Sequence, residues 1–270
     1  MTDGRELPGD DRAVVVRHLV KRFGAKVAVA DVNIDVPRGS FYGVVGPNGA
    51  GKSTTLKMCT CLLEPDHGDI WIDGHHVWSD PRAAKTRFGA LPDDLPLFER
   101  LTGREFLEFV GVFRGLASDL VLDRSGELLE VLGLSDAGNV LVADYSTGMR
   151  KKIGLAAAIL HAPRVLFLDE PFESVDPVSA RSIQTVLERF CGAGGTVVWS
   201  SHVMDTVERL CDQVAIVHDG RVVAAGPIEQ VRAGRRLEDV FIDAVGGLTD
   251  ASSTLSWLNR SDAGEAADGA

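Results

Sequence analysis

Three features of the sequence predict an α/β fold: a mostly parallel sheet, an antiparallel sheet beside it, and a block of helices inserted between strands. Over the second half of the chain, short apolar runs alternate with helical patterns, and such alternation implies parallel strands joined by crossover helices. Near the start, apolar and polar residues alternate and an Asp-Gly turn follows, as in antiparallel strands. Between these regions the pattern is helical with no strand signal.

In chain order, Val14 to Leu19 and Val32 to Val36 read as strands, the second with the period-two alternation of a half-buried strand. Phe41 to Val45 is short and wholly apolar and runs into a glycine-rich turn, behind which Lys52 to Leu63 reads as a helix ending before Pro65. Asp69 to Trp71 and His75 to Trp78 flank Asp73-Gly74, a hairpin signal. From Thr102 to about Leu134 the pattern is helical. Thr102-Gly-Arg-Glu105 is a capping box, Phe106, Phe109, Val110 and Phe113 recur at helical spacing, and a second helix carrying Leu120, Leu128, Leu129 and Leu132 stops at Gly133. Alternation then resumes: helix Met149 to Leu160, strand Val165 to Leu168, a helix through Ile183 and Leu187, strand Thr196 to Trp199, helix Val203 to Cys211, and strand Val214 to Val217.

Composition narrows the function classes. A chain of 270 residues with 45% hydrophobic residues can bury a full core. The net charge of -11, from 39 acidic and 28 basic residues, argues against nucleic acid as a generic partner, because no basic excess is present to displace counterions. No stretch approaches the roughly 20 apolar residues that a spanning helix needs. Residues Met1 to Glu6 also lack the apolar core of a signal peptide, so the chain is read as cytoplasmic. Cys59, Cys61, Cys191 and Cys211 sit among apolar neighbours and are read as reduced core thiols.

The strongest local signal is Gly46-Pro47-Asn48-Gly49-Ala50-Gly51-Lys52-Ser53, a complete match to G-x-x-x-x-G-K-[ST] placed after an apolar strand and before a helix, with Thr54 next. Glycines let consecutive backbone N–H groups turn toward one anion, and the following helix adds its positive end. Lys52 is positioned to neutralise the β- and γ-phosphates of ATP and Ser53 to ligate Mg²⁺, the arrangement of a P-loop NTPase core. The run Arg164 to Glu170 supplies the complementary half. A buried strand delivers Asp169 and Glu170 to its carboxyl end, where ligands of open α/β sheets gather. Asp169 is read as a Mg²⁺ ligand and Glu170 as the group that accepts a proton from the attacking water. Read alone, carboxylates in this position would be taken as helix caps; paired with the glycine-rich loop, that becomes the minor reading.

Three further motifs and one aromatic residue resemble one family, the nucleotide-binding domains of ABC transporters. Tyr145-Ser146-Thr147-Gly148-Met149, at a helix start, is similar to the ABC signature, usually Leu-Ser-Gly-Gly-Gln. Glu173-Ser-Val-Asp176 resembles the D-loop, His202 after Ser200-Ser201 resembles the switch histidine, and Phe23 is similar to the aromatic residue that stacks on adenine. The order of these motifs covers the chain from about Ala13 to Gly226. The resemblance implies a composite site. In it, two copies pair head to tail, each ATP lying between the Lys52 loop of one and Ser146 and the Gly148 amide of the other; His202 contacts the γ-phosphate and Asp176 helps to join the two sites. The family's Q-loop glutamine belongs near Leu91-Pro92, where this chain has Asp93 and Asp94, and Asp93 is read as a further Mg²⁺ ligand.

The division implied is a disordered N-terminus (1–12), an ATP-binding domain (13–245) with a helical subdomain at about 95–160, and a flexible acidic tail (246–270). The activity implied is ATP hydrolysis by a homodimer that powers transport, in the export direction, through a separate membrane-spanning permease at the cytoplasmic face of the membrane, without nucleic acid. The runs Tyr145 to Arg150, Leu101 to Leu107 and Leu237 to Phe241 look most like ATPases of bacterial exporters for drugs, antimicrobial peptides or lipid-linked substrates. An apolar surface near Leu95, Leu97, Phe98 and Leu101 is the candidate for receiving a partner helix, with a lobe core as the equal alternative. Two other readings are a soluble relative that remodels a nucleic-acid or ribosomal partner and a regulatory ATPase on a membrane complex.

Overall fold

The computed structural model describes residues 11–94 and 96–245. The chain opens with two long antiparallel strands, β1 (Arg12–Phe23) and β2 (Lys26–Pro37), and then enters a wholly buried strand, β3 (Phe41–Val45). Asp11 accepts a hydrogen bond from the Arg38 amide and Arg12 starts β1, so the expected disorder does not extend to these two residues. The rest of the segment expected to be disordered (1–10), the expected tail (246–270) and Leu95 lie outside the described residues.

Helix α1 (Lys52–Cys59) is four residues shorter than its apolar pattern suggests. Cys61 adopts a left-handed conformation (φ 58°), and the Leu62 amide closes back onto the Lys57 carbonyl at 2.9 Å, the geometry of a Schellman stop. The hairpin β4 (His67–Ile72) and β5 (His75–His76) turns through Asp73 and Gly74, both at positive φ as a type I′ turn requires. Two elements absent from the sequence reading follow. Helix α2 (Pro81–Arg87) starts from an Asp80 cap with proline in its first turn, and strand β6 (Phe88–Leu91) is parallel to β7 (Val165–Asp169).

Between β6 and β7 lies the helical block: α3 (Gly103–Phe113), α4 (Ser118–Val131) and α5 (Thr147–Ile159). The capping box forms as read, with Thr102 accepting from the Glu105 amide while Glu105 reaches back to the Thr102 amide. The chain then alternates through α6 (Pro177–Gly192), β8 (Thr196–Ser201), α7 (Met204–Leu210) and β9 (Gln213–His218). It ends the described part with β10 (Arg221–Pro227), α8 (Ile228–Arg232) and α9 (Leu237–Ala244).

Two sheets result. The antiparallel one has the order β2-β1-β4-β5; the other has the order β10-β9-β3-β8-β7-β6 and is parallel except for its β10 edge. Period-two alternation divides the parallel strands between two cores. Tyr42, Val44, Phe167, Val198 and Ala215 pack with α1 against the antiparallel sheet, whereas Phe41, Val45, Leu166, Leu168, Val197 and Trp199 face α5, α6 and α7. This layering has a direct functional consequence. Because β3, β8, β7 and β6 are parallel neighbours, the residues that follow each of them emerge at one edge of the sheet.

Candidate nucleotide site

The glycine-rich loop leaves β3 in a space that admits no side chain at two positions. Gly46 has φ 157°, and a Cβ there would lie 2.0 Å from the Val217 carbonyl oxygen; Gly51 has φ 104°, and a Cβ there would lie 2.5 Å from the Ala28 carbonyl oxygen. The loop is thus held between β2 and the β9–β10 turn. The Gly220 amide donates to the Ala50 carbonyl at 2.9 Å and the Ala30 amide to the Gly220 carbonyl at 2.7 Å. Pro47 is half-buried, Asn48 and Gly49 are exposed, and Thr54 is half-buried on α1.

Lys52 is buried. Its Nζ donates to the carbonyls of Gly46 (2.8 Å) and Pro47 (3.2 Å) and lies 3.6 Å from Glu170 Oε1. Buried ammonium groups require such partners. Ser53 Oγ donates to Asp169 Oδ1 at 2.9 Å, so the loop and the end of β7 are in direct contact, as their pairing in the sequence suggested. Two oxygen donors at this separation suit a hard cation such as Mg²⁺.

Ser200, which the sequence reading mentioned only as preceding His202, proves central. It is fully buried; its Oγ donates to Asp169 Oδ1 at 2.5 Å and accepts from the Glu170 amide at 3.1 Å. Glu170 is a non-glycine residue at φ 46°, a conformation that persists only where its surroundings enforce it. Its side chain is fixed as well, with Oε1 lying 3.1 Å from His202 Nδ1. Glu170, Glu173 and His202 line one side of a cleft of about 260 Å³, with Trp199 behind them. Lys52, Ser53, Asp169, Glu170 and His202, widely separated in sequence, therefore form one cluster.

Asp93 behaves differently from the expectation. Its carboxylate is taken up by Lys151 Nζ at 3.0 Å, whereas Ser53 and Asp169 engage each other. Read from the sequence as a Mg²⁺ ligand, it has an ion-pair partner here, because α5 brings a buried ammonium to the end of β6. Nothing in the sequence near Asp93 signals this: Lys151 lies 58 positions away. Asp94 pairs with Lys57 at 3.7 Å.

The signature-like segment stands apart from this cluster. Ser146 caps α5 through the Met149 amide at 3.3 Å and is exposed with Thr147. Gly148 is tight against α6, since a Cβ there would lie 2.9 Å from Ser179 Oγ and 3.0 Å from Asp176 Oδ2. Asp176 caps α6, accepting from the amides of Val178 (3.0 Å) and Ser179 (2.9 Å), and hydrogen bonds from Ser179 hold its carboxyl below the usual carboxylate range. Phe23 ends β1 and is 51% exposed, with Lys21 Nζ 5.9 Å from its ring centre. The cysteines are free thiols; burial pushes that of Cys59 up to about 12.

Comparison with known proteins agrees with this geometry. A family model described as "ABC transporter" matches residues 29–173. The daunorubicin resistance ATP-binding protein DrrA3 of Streptomyces coeruleorubidus is 37% identical over 237 residues, 87% of this chain and 75% of that one. The linearmycin resistance ATP-binding protein LnrL of Bacillus subtilis (strain 168) is 34% identical over 209 residues, 77% of this chain and 67% of that one. Among solved structures, an ATP-binding subunit of an ABC transporter superposes with a TM-score of 0.80 at 31% identity, covering 86% of this chain and 99% of that one.

Proposed function

From the premise that this chain belongs to the ABC transporter ATP-binding family, we propose that it hydrolyses ATP with Glu170 as the general base and drives export through a separate membrane-spanning protein. The observation that carries the catalytic part is the cluster around Glu170. A carboxylate whose Oε1 lies 3.6 Å from Lys52 Nζ and 3.1 Å from His202 Nδ1 is aimed at the mouth of the phosphate loop. In the reaction, Lys52 gives up its loop carbonyls to neutralise the β- and γ-phosphates, and the loop amides donate hydrogen bonds to the remaining phosphate oxygens. Glu170 takes the proton of the attacking water, while His202 orients the carboxylate through Nδ1 and contacts the γ-phosphate. Ser53 and Asp169, whose oxygens lie 2.9 Å apart, would hold Mg²⁺, which would supply neutralisation of the phosphate charge.

Two copies supply the remaining contacts: Ser146, the Gly148 amide and the start of α5 from one copy face the nucleotide held by the other. An exposed hydroxyl at a helix N-terminus suits a phosphate oxygen. Phe23 offers its free face to adenine, and Asp176 joins the two halves.

The export reading rests on the relatives, which are named for resistance to daunorubicin and linearmycin. No described helix is long and apolar enough to cross a membrane, so this role needs a permease at whose cytoplasmic face the chain sits. An apolar patch supports such docking, although it is not the one the sequence suggested. Leu97 and Leu101 pack against the core, and Phe98 (52% exposed) is joined instead by Phe109 (46%) and Phe113 (82%) on α3. The rings of Phe98 and Phe109 lie 4.9 Å apart and those of Phe109 and Phe113 6.4 Å apart. A contiguous exposed aromatic surface is the mark of an interaction site.

The test is purification of tagged Glu170→Gln protein from gently solubilised membranes with ATP present. Recovery of a stoichiometric multispan protein with an ATP-bound dimer supports the reading. Normal turnover by the variant, or recovery of ribosomal proteins with no membrane protein, overturns it.

A further inference from the structure

Lys151 is charged and only 8% exposed, and it plays no part in the mechanism above. Its position makes that unusual. It projects from α5, in the helical block, toward the end of the parallel sheet, where its ammonium donates to Asp93 Oδ1 at 3.0 Å and to the backbone carbonyl of Glu170 at 3.2 Å. An ammonium taken out of water is tolerated where charged and polar partners replace its hydration, and here one partner is an acid and the other a peptide group.

The Glu170 carbonyl is informative because of how the rest of that residue is held. Its amide is fixed by Ser200 and its carboxylate by His202 and Lys52, all from the sheet or the phosphate loop. The carbonyl accepts from the Glu173 amide in the turn that follows (3.2 Å) and from Lys151, the one of its two donors that comes from the helical block (3.2 Å). A residue at φ 46° returns to an ordinary conformation unless both flanking peptides are restrained, and such a return re-aims its side chain.

We propose that Lys151 is a positioning residue for ATP hydrolysis. It fixes the Glu170 peptide so that the carboxylate faces the phosphate loop, and Asp93 orients it to do so. Asp93 contributes the full negative charge that keeps the ammonium at this spot, at a position where a neutral amide leaves only the carbonyl to hold it. The pair also joins three parts of the fold: the segment after β6, the helical block and the end of β7. The inference rests on Glu170 being the general base, and the experiment separates the two claims.

The experiment measures steady-state ATP hydrolysis, ATP binding and thermal unfolding of the full chain with its partner subunits, for Lys151→Met, Lys151→Arg, Asp93→Asn and Glu170→Gln, and for Lys151→Met combined with Glu170→Gln. Lys151→Met is expected to lower kcat about tenfold or more while KM and ATP affinity stay within about twofold, the pattern of an interaction used in the transition state. Lys151→Arg restores most of kcat, and Asp93→Asn lowers it about threefold, since the carbonyl contact survives while its charged partner is lost. In the Glu170→Gln background, Lys151→Met is expected to have no further effect on the residual rate, because the lysine acts through the glutamate. Should Lys151→Met fail to fold, Asp93→Asn and Lys151→Arg decide the matter. Wild-type kcat in Asp93→Asn together with a dead Lys151→Arg overturns the proposal. So do multiplicative losses in the double variant, or an unchanged kcat in folded Lys151→Met while Glu170→Gln is inactive. Normal hydrolysis by Glu170→Gln removes the base assignment itself and with it the proposal.

Discussion

Replacing Ser200 by Ala should unfold the chain earlier and slow hydrolysis, although the serine touches neither solvent nor the phosphate loop. Its hydroxyl makes two hydrogen bonds, donating to the Asp169 carboxylate at 2.5 Å and accepting from the Glu170 amide at 3.1 Å. The first is to a charged group, and such bonds contribute about 1.5–3 kcal/mol; losing the second leaves a buried N–H without a partner, at about 1–3 kcal/mol. Asp169 keeps its bond from Ser53, which discounts the first figure, so the loss is about 2–4 kcal/mol. For a chain of this size that lowers Tm on the order of 5–10 °C. The rate effect has a separate origin: with its amide released, Glu170 leaves φ 46°, and about 1.4–2.7 kcal/mol of lost alignment lowers kcat by about tenfold to a hundredfold. Differential scanning calorimetry and single-turnover hydrolysis read the two effects. Ser201→Ala, whose hydroxyl accepts from the Val203 amide, is the stability control, with a loss of less than about 1 kcal/mol. A Ser200→Ala protein that loses less than about 0.5 kcal/mol and keeps kcat within twofold would refute the idea that this hydroxyl sets the geometry of the base.

Four further outcomes are expected. Phe23→Ala removes the stacking face at the end of β1 and should raise KM for ATP about fivefold to a hundredfold with little change in kcat; Phe23→Tyr should behave as wild type, and an unaltered KM in the alanine variant excludes Phe23 from the adenine site. Gly148→Ala forces a methyl group within 2.9 Å of Ser179 Oγ and 3.0 Å of Asp176 Oδ2, so it should disturb the α6 cap at a stability loss of about 1–2 kcal/mol and weaken ATP-driven pairing, measured by light scattering with Glu170→Gln protein. Phe109→Ser with Phe113→Ser should leave Tm of the isolated chain within about 2 °C, since both rings are exposed, yet abolish recovery of the membrane partner. His161, whose Nε2–H donates to the Phe88 carbonyl, is pushed down to about 4 by burial first and by nearby Arg114 next. The unfolded chain therefore binds more protons between pH 6.5 and 4, and stability falls as pH drops through that window. His161→Gln, which keeps a donor but cannot titrate, should flatten that part of the Tm profile; an unchanged slope assigns the acid lability to other groups.

The parts of the site legible in the sequence share one property: they are contiguous, and their spacing is set by backbone geometry. The run Gly46 to Ser53 is readable because each glycine answers a local demand, and the clash distances at Gly46 and Gly51 show how strict those demands are. Asp169 and Glu170 are readable because an apolar run must end at the edge of a parallel sheet. The hairpin at Asp73-Gly74 and the cap at Thr102 are local in the same sense. Element ends were less legible. Helix α1 stops where a cysteine takes a left-handed conformation usually occupied by glycine, and α2 begins at Ser-Asp-Pro, whose capping potential its short polar sequence concealed.

Ser200, Lys151 and the true partner of Asp93 were not legible, and the reason is topological. Each acts through a side chain that reaches a residue 30 or more positions away, or, for Lys151 and Glu170, 19 positions away across the junction between helical block and sheet. The order β3-β8-β7-β6 brings these residues to one edge, and that order is not written in any local pattern. A serine inside an apolar strand and a lysine inside a helix look, in sequence, like solvated or tolerated polar residues. Burial reverses that reading. A hydroxyl and an ammonium withdrawn from water must be satisfied by named partners, and here those partners are the two peptides of Glu170 and the carboxylate before it. The ion pair of Asp93 was hidden by the same gap. An acidic residue beside a phosphate loop suggests a cation, and the cation it meets is the ammonium of Lys151. A carboxylate at this position is therefore neutralised from the helical block, which makes the orientation of that block a condition for the geometry of the base.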